Sequence, residues 1–385
     1  MHADVLILGA GPAGCAVATP LARAGRDVLI VDALAQPAAA IGESLLPFGA
    51  RVIELMGVSM EGFQRKDGAV FTRGADSVRF AFAESARPTW GHAWQVPRDD
   101  FDARLRGAAL AAGAQLVVAK ASHYEPDART LHTDQGPIRC EQFVDAAGRR
   151  KFLARQLGEV ELHPRLRNAA LHTRFRGVRA LQPEQPGDIT ICAWSGGWFW
   201  LIPFADGRTS VGLVLTPGHG LKDDRWAGAL AACPEAAARL DGAEQLGELG
   251  GVSDFTAYSR RFSGPGWALA GDAAMFLDPV FSSGVLGALE SGWTLGEVLR
   301  DGGDLQAWEQ RLRAAMVPME QSVLAFYDGT FLDVACAPVG LQKPRFRKAI
   351  ISLLAGDLFA PGNEASRRMA GKFGWLADLA ALAPR

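Results

Sequence analysis

The sequence has few cysteines, and they form no recognisable pair. Its 385 residues include five: Cys15, Cys140, Cys192, Cys233 and Cys336. They show neither a CxxC motif nor a cluster with histidines at the spacing of metal ligands. This pattern argues against a disulfide framework and a structural zinc site, and it is typical of reduced thiols in a cytoplasm. We therefore predict no metal.

The sequence also has no large excess of charge of one sign and no long hydrophobic run. The formal net charge is -2 and the pI about 6.4, so no basic surface for nucleic acid or an anionic membrane is indicated. No uncharged apolar run reaches membrane-spanning length. The apolar residues 5–8 lack the basic flank and cleavage site of a signal peptide. We expect a cytoplasmic protein with no membrane span and no nucleic-acid partner.

The composition is that of a globular protein with a large core. Apolar residues make up 49% and charged residues 21% of the chain. The length predicts about two to three domains.

Residues 4–34, DVLILGAGPAGCAVATPLARAGRDVLIVDAL, predict a strand, a glycine turn, a helix and a second strand. In the GxGxxG motif the first glycine permits the tight turn, the second lets a pyrophosphate approach, and the third lets the helix pack on the strand. An acidic residue at the end of the second strand can hydrogen-bond ribose hydroxyls. The unit predicts a dinucleotide site with contacts from Gly9, Gly11, Pro12, Ala13, Gly14 and Asp32.

Three later segments favour FAD over a nicotinamide dinucleotide. Arg98 precedes a helix that leads into a strand, and residues 143–148, FVDAAG, end another strand. Residues 266–292, GWALAGDAAMFLDPVFSSGVLGALESG, place a Gly-Asp pair at a strand end, before a turn and a small-residue helix. An extended cofactor needs such late contacts, because its flavin lies far from its adenine.

Over nearly the whole chain these segments resemble the FAD-dependent aromatic monooxygenase superfamily, which has the para-hydroxybenzoate-hydroxylase-like fold, in its flavin-dependent halogenase-like branch. The resemblance implies that residues 42–44, Gly-Glu-Ser, form a loop beside the isoalloxazine, and that residues 282–284 begin a helix aimed at the pyrimidine ring. Ser44 is equally suited to cap the following helix. The FAD contacts implied beyond the GxGxxG unit are Ser44, Arg98, Asp145, Gly148, Gly271, Asp272, Pro279, Ser282, Ser283 and Gly284.

The segment 197–203, GWFWLIP, belongs to a run of strand signals that predicts an antiparallel meander. A period of two puts Trp198, Trp200 and Ile202 on one face and Phe199 and Leu201 on the other. Spacing alone favours core filling. The complete WxWxIP resembles the halogenase signature, although relatives that do not halogenate share the wider pattern.

The resemblance makes Trp198, Trp200 and Phe281 the predicted walls of a substrate pocket. Lys66, in K-x-G-A-x-F, is similar to the segment that carries the essential lysine of phenol- and pyrrole-type halogenases. A solvated turn is an equal alternative for Lys66. Glu43 is either catalytic or a solvated loop carboxylate, and His92 is either a base or a packed ring.

Two positions depart from the halogenase pattern. Leu286 stands where many halogenases have histidine, and Arg73 where tryptophan is frequent. These departures make the resemblance less specific for halogenation.

The predicted fold is α/β, with a glutathione-reductase-type, Rossmann-like FAD-binding domain, an antiparallel β-sheet substrate domain and a helical C-terminal cap. We assign residues 1–160 and 259–300 to the first and 161–258 to the second, with residues 75–95 contributing to the substrate side. The cap is residues 301–385. Without the long C-terminal extension of many halogenases, the cap leaves room for a bulky or tethered substrate.

The main functional prediction is an FAD-dependent monooxygenase that uses a C4a-hydroperoxyflavin, with O2 as co-substrate, to hydroxylate an indole- or phenol-type ring. That ring is either free or held on a carrier or polypeptide, such as a tryptophan side chain. The first alternative is a halogenase that uses Lys66 and halide, and the second is a flavin reductase of the geranylgeranyl type. A non-catalytic FAD-binding protein is a third. NAD(P)H acting directly and a partner flavin reductase are both open as the source of electrons.

Overall fold

The computed structural model describes residues 1–182, 184–221, 224–253, 255–336 and 344–359. The strands are β1 (His2–Leu8), β2 (Val28–Asp32), β3 (Gln64–Lys66), β4 (Gly68–Arg73), β5 (Asp76–Ala81), β6 (Ala93–Gln95), β7 (Gln115–Val118), β8 (Ala121–Glu125), β9 (Thr130–Thr133), β10 (Gly136–Asp145), β11 (Val160–Leu162), β12 (Ala169–Arg176), β13 (Ile189–Trp194), β14 (Gly197–Pro203), β15 (Arg208–Leu215), β16 (Glu244–Gln245), β17 (Gly250–Ser253), β18 (Ala257–Ser259), β19 (Ser263–Gly264), β20 (Trp267–Leu269) and β21 (Met275–Phe276). The helices are α1 (Pro12–Arg23), α2 (Ala50–Met56), α3 (Arg98–Ala111), α4 (Phe152–Gln156), α5 (Arg225–Ala232), α6 (Pro234–Leu240), α7 (Ser283–Asp301), α8 (Leu305–Tyr327), α9 (Thr330–Ala335) and α10 (Pro344–Leu354).

The first sheet carries the N-terminal unit, and its centre is parallel. The order is β20–β10–β1–β2–β7, so β1 has a parallel neighbour on each side. Its apolar residues are buried on both faces, as expected for a parallel sheet covered by helices. The predicted strand–turn–helix–strand unit is confirmed.

Helices α1 and α7 pack closely because small residues face each other. A Cβ at Gly292 would lie 2.4 Å from the carbonyl oxygen of Ala13, and one at Gly296 2.6 Å from that of Val17. The small-residue helix late in the chain thus packs against the first helix of the dinucleotide unit.

The second sheet has the order β16–β12–β15–β14–β13–β4–β5, with β17 also paired to β12. The predicted meander is confirmed as the antiparallel series β13–β14–β15. β4 joins it in parallel to β13, so residues 68–81 lie in this sheet although the chain reaches them before the first domain is complete. β3 and β6 form a separate two-stranded sheet.

C-terminal helices cover one face of the second sheet. Apolar residues of α8, α9 and α10 share a buried cluster with the tryptophan face of β14. The predicted helical region is therefore present here, while residues 337–343 and 360–385 of the predicted cap lie outside the described residues. No helix in the described part of the chain is long and apolar enough to cross a membrane.

Candidate flavin and substrate site

A cleft of about 550 Å³ lies where the β1–α1 turn, the end of β2 and the start of α7 meet. Many residues predicted to bind the cofactor line this cleft: Gly9, Gly11, Pro12, Ala13, Asp32, Arg98, Gly148, Asp272 and Gly284. The carboxyl ends of parallel strands meet here, which is where open α/β sheets bind dinucleotides.

The three glycines of the motif have different surroundings. Gly9 has φ +105°, and a Cβ there would lie 2.4 Å from the carbonyl oxygen of Ala146. A Cβ at Gly14 would lie 1.9 Å from the carbonyl oxygen of Gly9. A Cβ at Gly11 would meet nothing within 4 Å, and Gly11 lines the cleft. Gly9 and Gly14 therefore permit close packing, while Gly11 leaves the space that a pyrophosphate needs.

Asp32 is fixed at the edge of the cleft by backbone donors. Its carboxylate accepts hydrogen bonds from the N–H groups of Ala10 at 2.7 Å and Leu34 at 2.8 Å. Arg106 lies 3.6 Å from one carboxylate oxygen. This arrangement fits an acid that holds a ribose, because the side chain is oriented before any ligand binds.

Arg98 lies at the start of α3 and lines the cleft. It makes two hydrogen bonds to Asp102, at 2.8 and 2.9 Å, and one to the carbonyl oxygen of Ile41 at 2.8 Å. Asp272 lies nearby, and burial raises its pKa against the opposing charges of Lys151, Arg98 and Arg149.

Asp145 has a different place from the one that the resemblance implied. It is fully buried and does not line the cleft. Its carboxylate accepts hydrogen bonds from the N–H groups of Ala147 at 2.9 Å and Leu153 at 2.8 Å, and burial raises its pKa to about 6. Asp145 thus shapes the loop that places Ala146, Ala147 and Gly148 on the cleft wall.

A second cavity of about 390 Å³ adjoins the first, and the two share lining residues that include Gly42, Arg98, Asp272 and Gly284. Its wall contains Glu43, Ser44, Trp198, Trp200, Pro279 and Ser282, all of which the sequence placed at the site. Ser282 has φ +57° and directly precedes α7. The N-terminal end of α7 therefore borders both cavities, because Gly284 lines each of them.

The predicted faces of β14 are confirmed. Trp198, Trp200 and Ile202 line the second cavity, while Phe199 and Leu201 pack in a different apolar cluster on the opposite side of the sheet. The indole N–H of Trp200 lies 3.2 Å from the Ser210 hydroxyl, to which it donates. The ring centroids of the two indoles are 5.9 Å apart. Both side chains belong to the buried core and also line the cavity.

The indole of Trp198 donates to the Tyr327 hydroxyl at 2.9 Å, and that hydroxyl donates to Asp278 at 2.7 Å. Asn168 also donates to the Asp278 carboxylate, at 2.8 Å. Burial raises the pKa of Asp278 to about 6. This network orients Trp198 from behind the cavity. No motif in the sequence predicts this network, because its members are far apart in the chain.

Lys66 is buried and is not a solvated turn. Its side chain is 1% exposed, and its ammonium donates to the Ser44 hydroxyl and to the carbonyl oxygen of Leu45, each at 2.8 Å. It also lies over the Phe82 ring, 5.2 Å from the ring centroid. Burial lowers the pKa of Lys66 to about 7. Lys66 does not line the second cavity itself. It is hydrogen-bonded to Ser44, which does.

Glu43 is also buried, and it lines the second cavity. Arg174 donates to its carboxylate at 2.9 Å. Burial raises the pKa of Glu43, against the hydrogen bond from Ser210 and the charge of Arg174. It is therefore no solvated loop carboxylate. No sequence signal pairs Glu43 with Arg174, because 131 positions separate them.

Gly14, which packs under the glycine turn, lines neither of these two cavities, and the same holds for four other predicted site residues. His92 packs edge-on against Trp94, with ring centroids 4.9 Å apart, and burial lowers its pKa. Phe281 packs in a cluster of phenylalanine rings, and its ring centroid lies 4.9 Å from that of Phe331. Gly271 and Ser283, the first residue of α7, line a small separate pocket.

Comparison with known proteins agrees with this geometry. The profile of the tryptophan halogenase family matches residues 77–329, and that of NAD(P)-binding Rossmann-like domains matches residues 7–53. The chain is 30% identical to 1H-pyrrole-2-carbonyl-[peptidyl-carrier protein] brominase from Pseudoalteromonas luteoviolacea (strain 2ta16), over 80% of this chain and 79% of that protein. It spans only 62% and 59% of two longer halogenases to which it is also 30% identical.

Two solved structures cover almost the whole chain. A flavoprotein/dehydrogenase from Cytophaga hutchinsonii has a TM-score of 0.88 and 27% identity, over 99% of both chains. The flavin-dependent brominase Bmp2 has a TM-score of 0.87 and 25% identity, over 98% of this chain and 100% of that one. The predicted fold class is confirmed.

These findings support the halogenase alternative better than hydroxylation, the main prediction, which they do not support. The enzyme is an FAD-dependent oxidoreductase. The open space at Gly11 and the oriented Asp32 carboxylate fit the pyrophosphate and ribose of FAD. The chain belongs to the tryptophan halogenase family.

Proposed function

We propose that this enzyme halogenates an electron-rich aromatic ring, using FAD, O2 and a halide. The observation that carries the proposal is the Lys66 ammonium, buried 2.8 Å from the hydroxyl of Ser44 at the wall of the aromatic cavity. A buried ammonium costs several kcal/mol unless it has a function or a strong partner. Its nearest partners are a hydroxyl and a carbonyl oxygen, and no carboxylate of the described residues lies within 4.0 Å of it.

When bound, FAD supplies two electrons that activate O2. The overall reaction then balances: reduced FAD, O2, halide, the aromatic C–H compound and one proton give oxidised FAD, the aryl halide and two waters. One C–H bond is replaced by a carbon–halogen bond. Both oxygen atoms leave as water, which distinguishes this reaction from hydroxylation.

The chain's own residues account for the positioning. Lys66 holds Ser44 in place and puts a movable proton next to the cavity, because its lowered pKa, about 7, allows both protonation states near neutral pH. Trp198 and Trp200 exclude water from one side of the cavity. We propose that Lys66 directs the oxidised halogen toward a ring held against these indoles.

The rim of the cavity supports a tethered substrate. Arg149 is exposed, lines the second cavity and has no carboxylate within 4.0 Å among the described residues. His172, half-buried beside it on the rim, stacks on Trp200 with ring centroids 6.4 Å apart. The brominase relative acts on a pyrrole carbonyl group carried on a peptidyl-carrier protein. We therefore propose that the ring is delivered on the phosphopantetheine arm of a carrier protein, and that Arg149 contacts the phosphate of that arm.

Product analysis tests the proposal. The FAD-loaded protein is photoreduced without oxygen, which removes any dependence on a particular electron donor, and is then mixed with O2 in the presence or absence of bromide. Catalase is added so that free peroxide makes no product. The substrates are pyrrole-2-carboxylate, its pantetheine thioester, the same acyl group on a carrier protein, and free indole and phenol.

A bromine isotope doublet in the product, seen only with bromide, is the expected result. It should be strongest for the carrier-bound ring. Incorporation of labelled oxygen from O2, at the same level with and without bromide, would instead make the protein a monooxygenase. Equal bromination of the free acid and the carrier-bound ring would contradict the tethered substrate but leave halogenation standing.

A further inference from the structure

Three metal-ligating side chains meet on the hairpin formed by β8 and β9. They are His123, Glu125 and His132, and one ligand atom of each lies within 4.8 Å of the others. None of the three lines the flavin cleft or the substrate cavity. We infer that this His-Glu-His cluster binds a divalent cation of the zinc type, independently of the halogenation proposed above.

The two faces of the hairpin differ sharply. Tyr124 and Leu131 point into the protein and are almost fully buried. His123 and Glu125, two positions apart on β8, share the outer face, and His132 reaches the same face from β9. The cluster therefore lies on solvent-facing positions, where its side chains are free of the core.

A β-bulge brings the two histidines opposite each other. Ala121 pairs with Thr133 and His123 pairs with His132, so Ser122 is an extra residue in β8. If Ser122 were paired regularly with His132, His123 would pair with Leu131 and point to the buried face. Bulges redirect side chains at the expense of local ladder bonds, and this one produces the imidazole pair.

The distances suit a tetrahedral ion. The Oε1 atom of Glu125 lies 3.3 Å from the Nε2 of His123 and 3.0 Å from the Nε2 of His132. With metal–ligand bonds of about 2.0–2.1 Å, a tetrahedral zinc ion keeps its ligand atoms about 3.3 Å apart. Two imidazoles and one carboxylate also form a ligand set that zinc uses, with a fourth position left for water.

The Ser122 hydroxyl orients one of the two imidazoles, that of His123. The Ser122 hydroxyl lies 3.4 Å from the Nδ1 of His123 and donates to the carbonyl oxygen of His132 at 3.1 Å. A contact at the second ring nitrogen is what directs the other nitrogen of a metal-bound histidine toward its ion. Here it directs the Nε2 atom of His123 toward Glu125.

The Nε2 atom of His132 makes no well-aligned hydrogen bond in the described part of the chain. It is shielded from solvent, and Glu125 lies 3.0 Å away. A buried polar atom without a hydrogen bond lowers the stability of the folded state. A cation between the three side chains would satisfy it.

Binding requires a small rearrangement. The two rings are stacked, with centroids 4.1 Å apart and planes 7° from parallel, so each must rotate for its lone pair to point at a common ion. The side chains of His123 and Glu125 are each 49% exposed, which leaves room for that rotation. We expect reversible binding of zinc and its usual substitutes, cobalt and nickel.

The test uses tag-free, FAD-loaded protein stripped of metal with chelator. Zinc binding is measured by calorimetry, cobalt binding by the visible absorption of a tetrahedral complex, and thermal unfolding with and without zinc. The variants are His123→Ala and Glu125→Gln, with His2→Ala, an exposed histidine of the same sheet, as the matched control. FAD absorbance and the melting temperature in chelator verify that each variant folds.

We expect one zinc ion per chain in the wild type and in His2→Ala, with a zinc-dependent rise in melting temperature because the ion binds only the folded hairpin. His123→Ala and Glu125→Gln should bind at least about 10-fold more weakly. Glu125→Gln, which keeps the shape of an exposed side chain, remains decisive if His123→Ala folds poorly. Undiminished binding in these variants would indicate an adventitious ion only, and that result, or no stoichiometric binding to the wild type, would overturn the inference.

Discussion

The ammonium of Lys66 donates a hydrogen bond to the hydroxyl of Ser44, and this contact joins the small β3–β6 sheet to the loop beside the flavin cleft. The same loop is bonded to β6 directly, because the N–H of Leu45 donates to the carbonyl oxygen of Trp94 at 2.9 Å. Ser44 is therefore held from two sides. A change at Lys66 should act on the cavity wall without touching the FAD cleft.

The burial of Lys66 predicts a pH dependence of stability. Its pKa is about 7 in the folded protein and about 10.4 in an unfolded chain. Between these values the unfolded state binds one more proton than the folded state, so the free energy of unfolding rises with pH by about 1.4 kcal/mol per unit from this group. Below about pH 7 both states are protonated, and the penalty for burying the charge is constant.

Lys66→Met removes the titrating group and keeps most of the volume. The difference in unfolding free energy between wild type and Lys66→Met should therefore shift in favour of the wild type as the pH rises from 7 to 10. Urea unfolding at several pH values measures it. A difference that does not change with pH would mean that Lys66 keeps an ordinary pKa.

The glycine motif predicts two different failures. Gly11→Val should fold but lose FAD, because its side chain would enter the empty space of the cleft. Gly14→Val should fail to fold stably, because its Cβ would lie 1.9 Å from the carbonyl oxygen of Gly9. The flavin absorbance of the purified protein and its thermal unfolding distinguish the two. A yellow Gly11→Val variant would contradict the assignment of the cleft.

The hydroxyl of Tyr327 should contribute to the free energy of unfolding. Tyr327→Phe removes the hydroxyl that joins Trp198 to Asp278, leaving an indole N–H and a buried carboxylate each without one partner. We expect a loss of about 1–3 kcal/mol in the free energy of unfolding. Tyr258→Phe is the control, because its hydroxyl bonds to the partly exposed Glu320 and its loss should matter less. Equal losses in the two variants would contradict the special role of the Trp198 network.

Arg149 and Arg150 are neighbours that face different cavities, which gives a matched pair. Arg149→Ala should raise the KM for a carrier-bound ring several-fold with little change in kcat, since it removes a contact to the arm. Arg150→Ala should instead weaken FAD retention. Steady-state kinetics and a flavin titration test both. The reverse pattern would assign Arg149 to the cofactor.

The local parts of the fold could be predicted from the sequence, and the long-range parts could not. The GxGxxG unit and the two faces of β14 follow from short spacings, which backbone geometry converts directly into positions. The parallel pairing of β4 with β13 has no such signal, because more than a hundred residues separate the two strands. Neither does the bond between Glu43 and Arg174.

Asp145 and Phe281 line neither cavity for a shared reason. Asp145 and Phe281 lie next to cavity-lining residues in the sequence, so the motifs located the right segments. The motifs do not determine which side chain of a turn points outward. Asp145 points inward because the backbone N–H groups of Ala147 and Leu153 bind its carboxylate. His92 lines neither cavity because its ring packs against the side chain of Trp94.

The most direct test of the central claim is the mass of the product formed by Lys66→Met, with Arg65→Met as the matched control. Arg65 is the adjacent cation, but it is exposed and paired with Asp67. Both variants should retain FAD and consume O2 after photoreduction. We expect Arg65→Met to give the brominated product at the wild-type level and Lys66→Met to give none. Brominated product from Lys66→Met at the wild-type level would contradict this expectation.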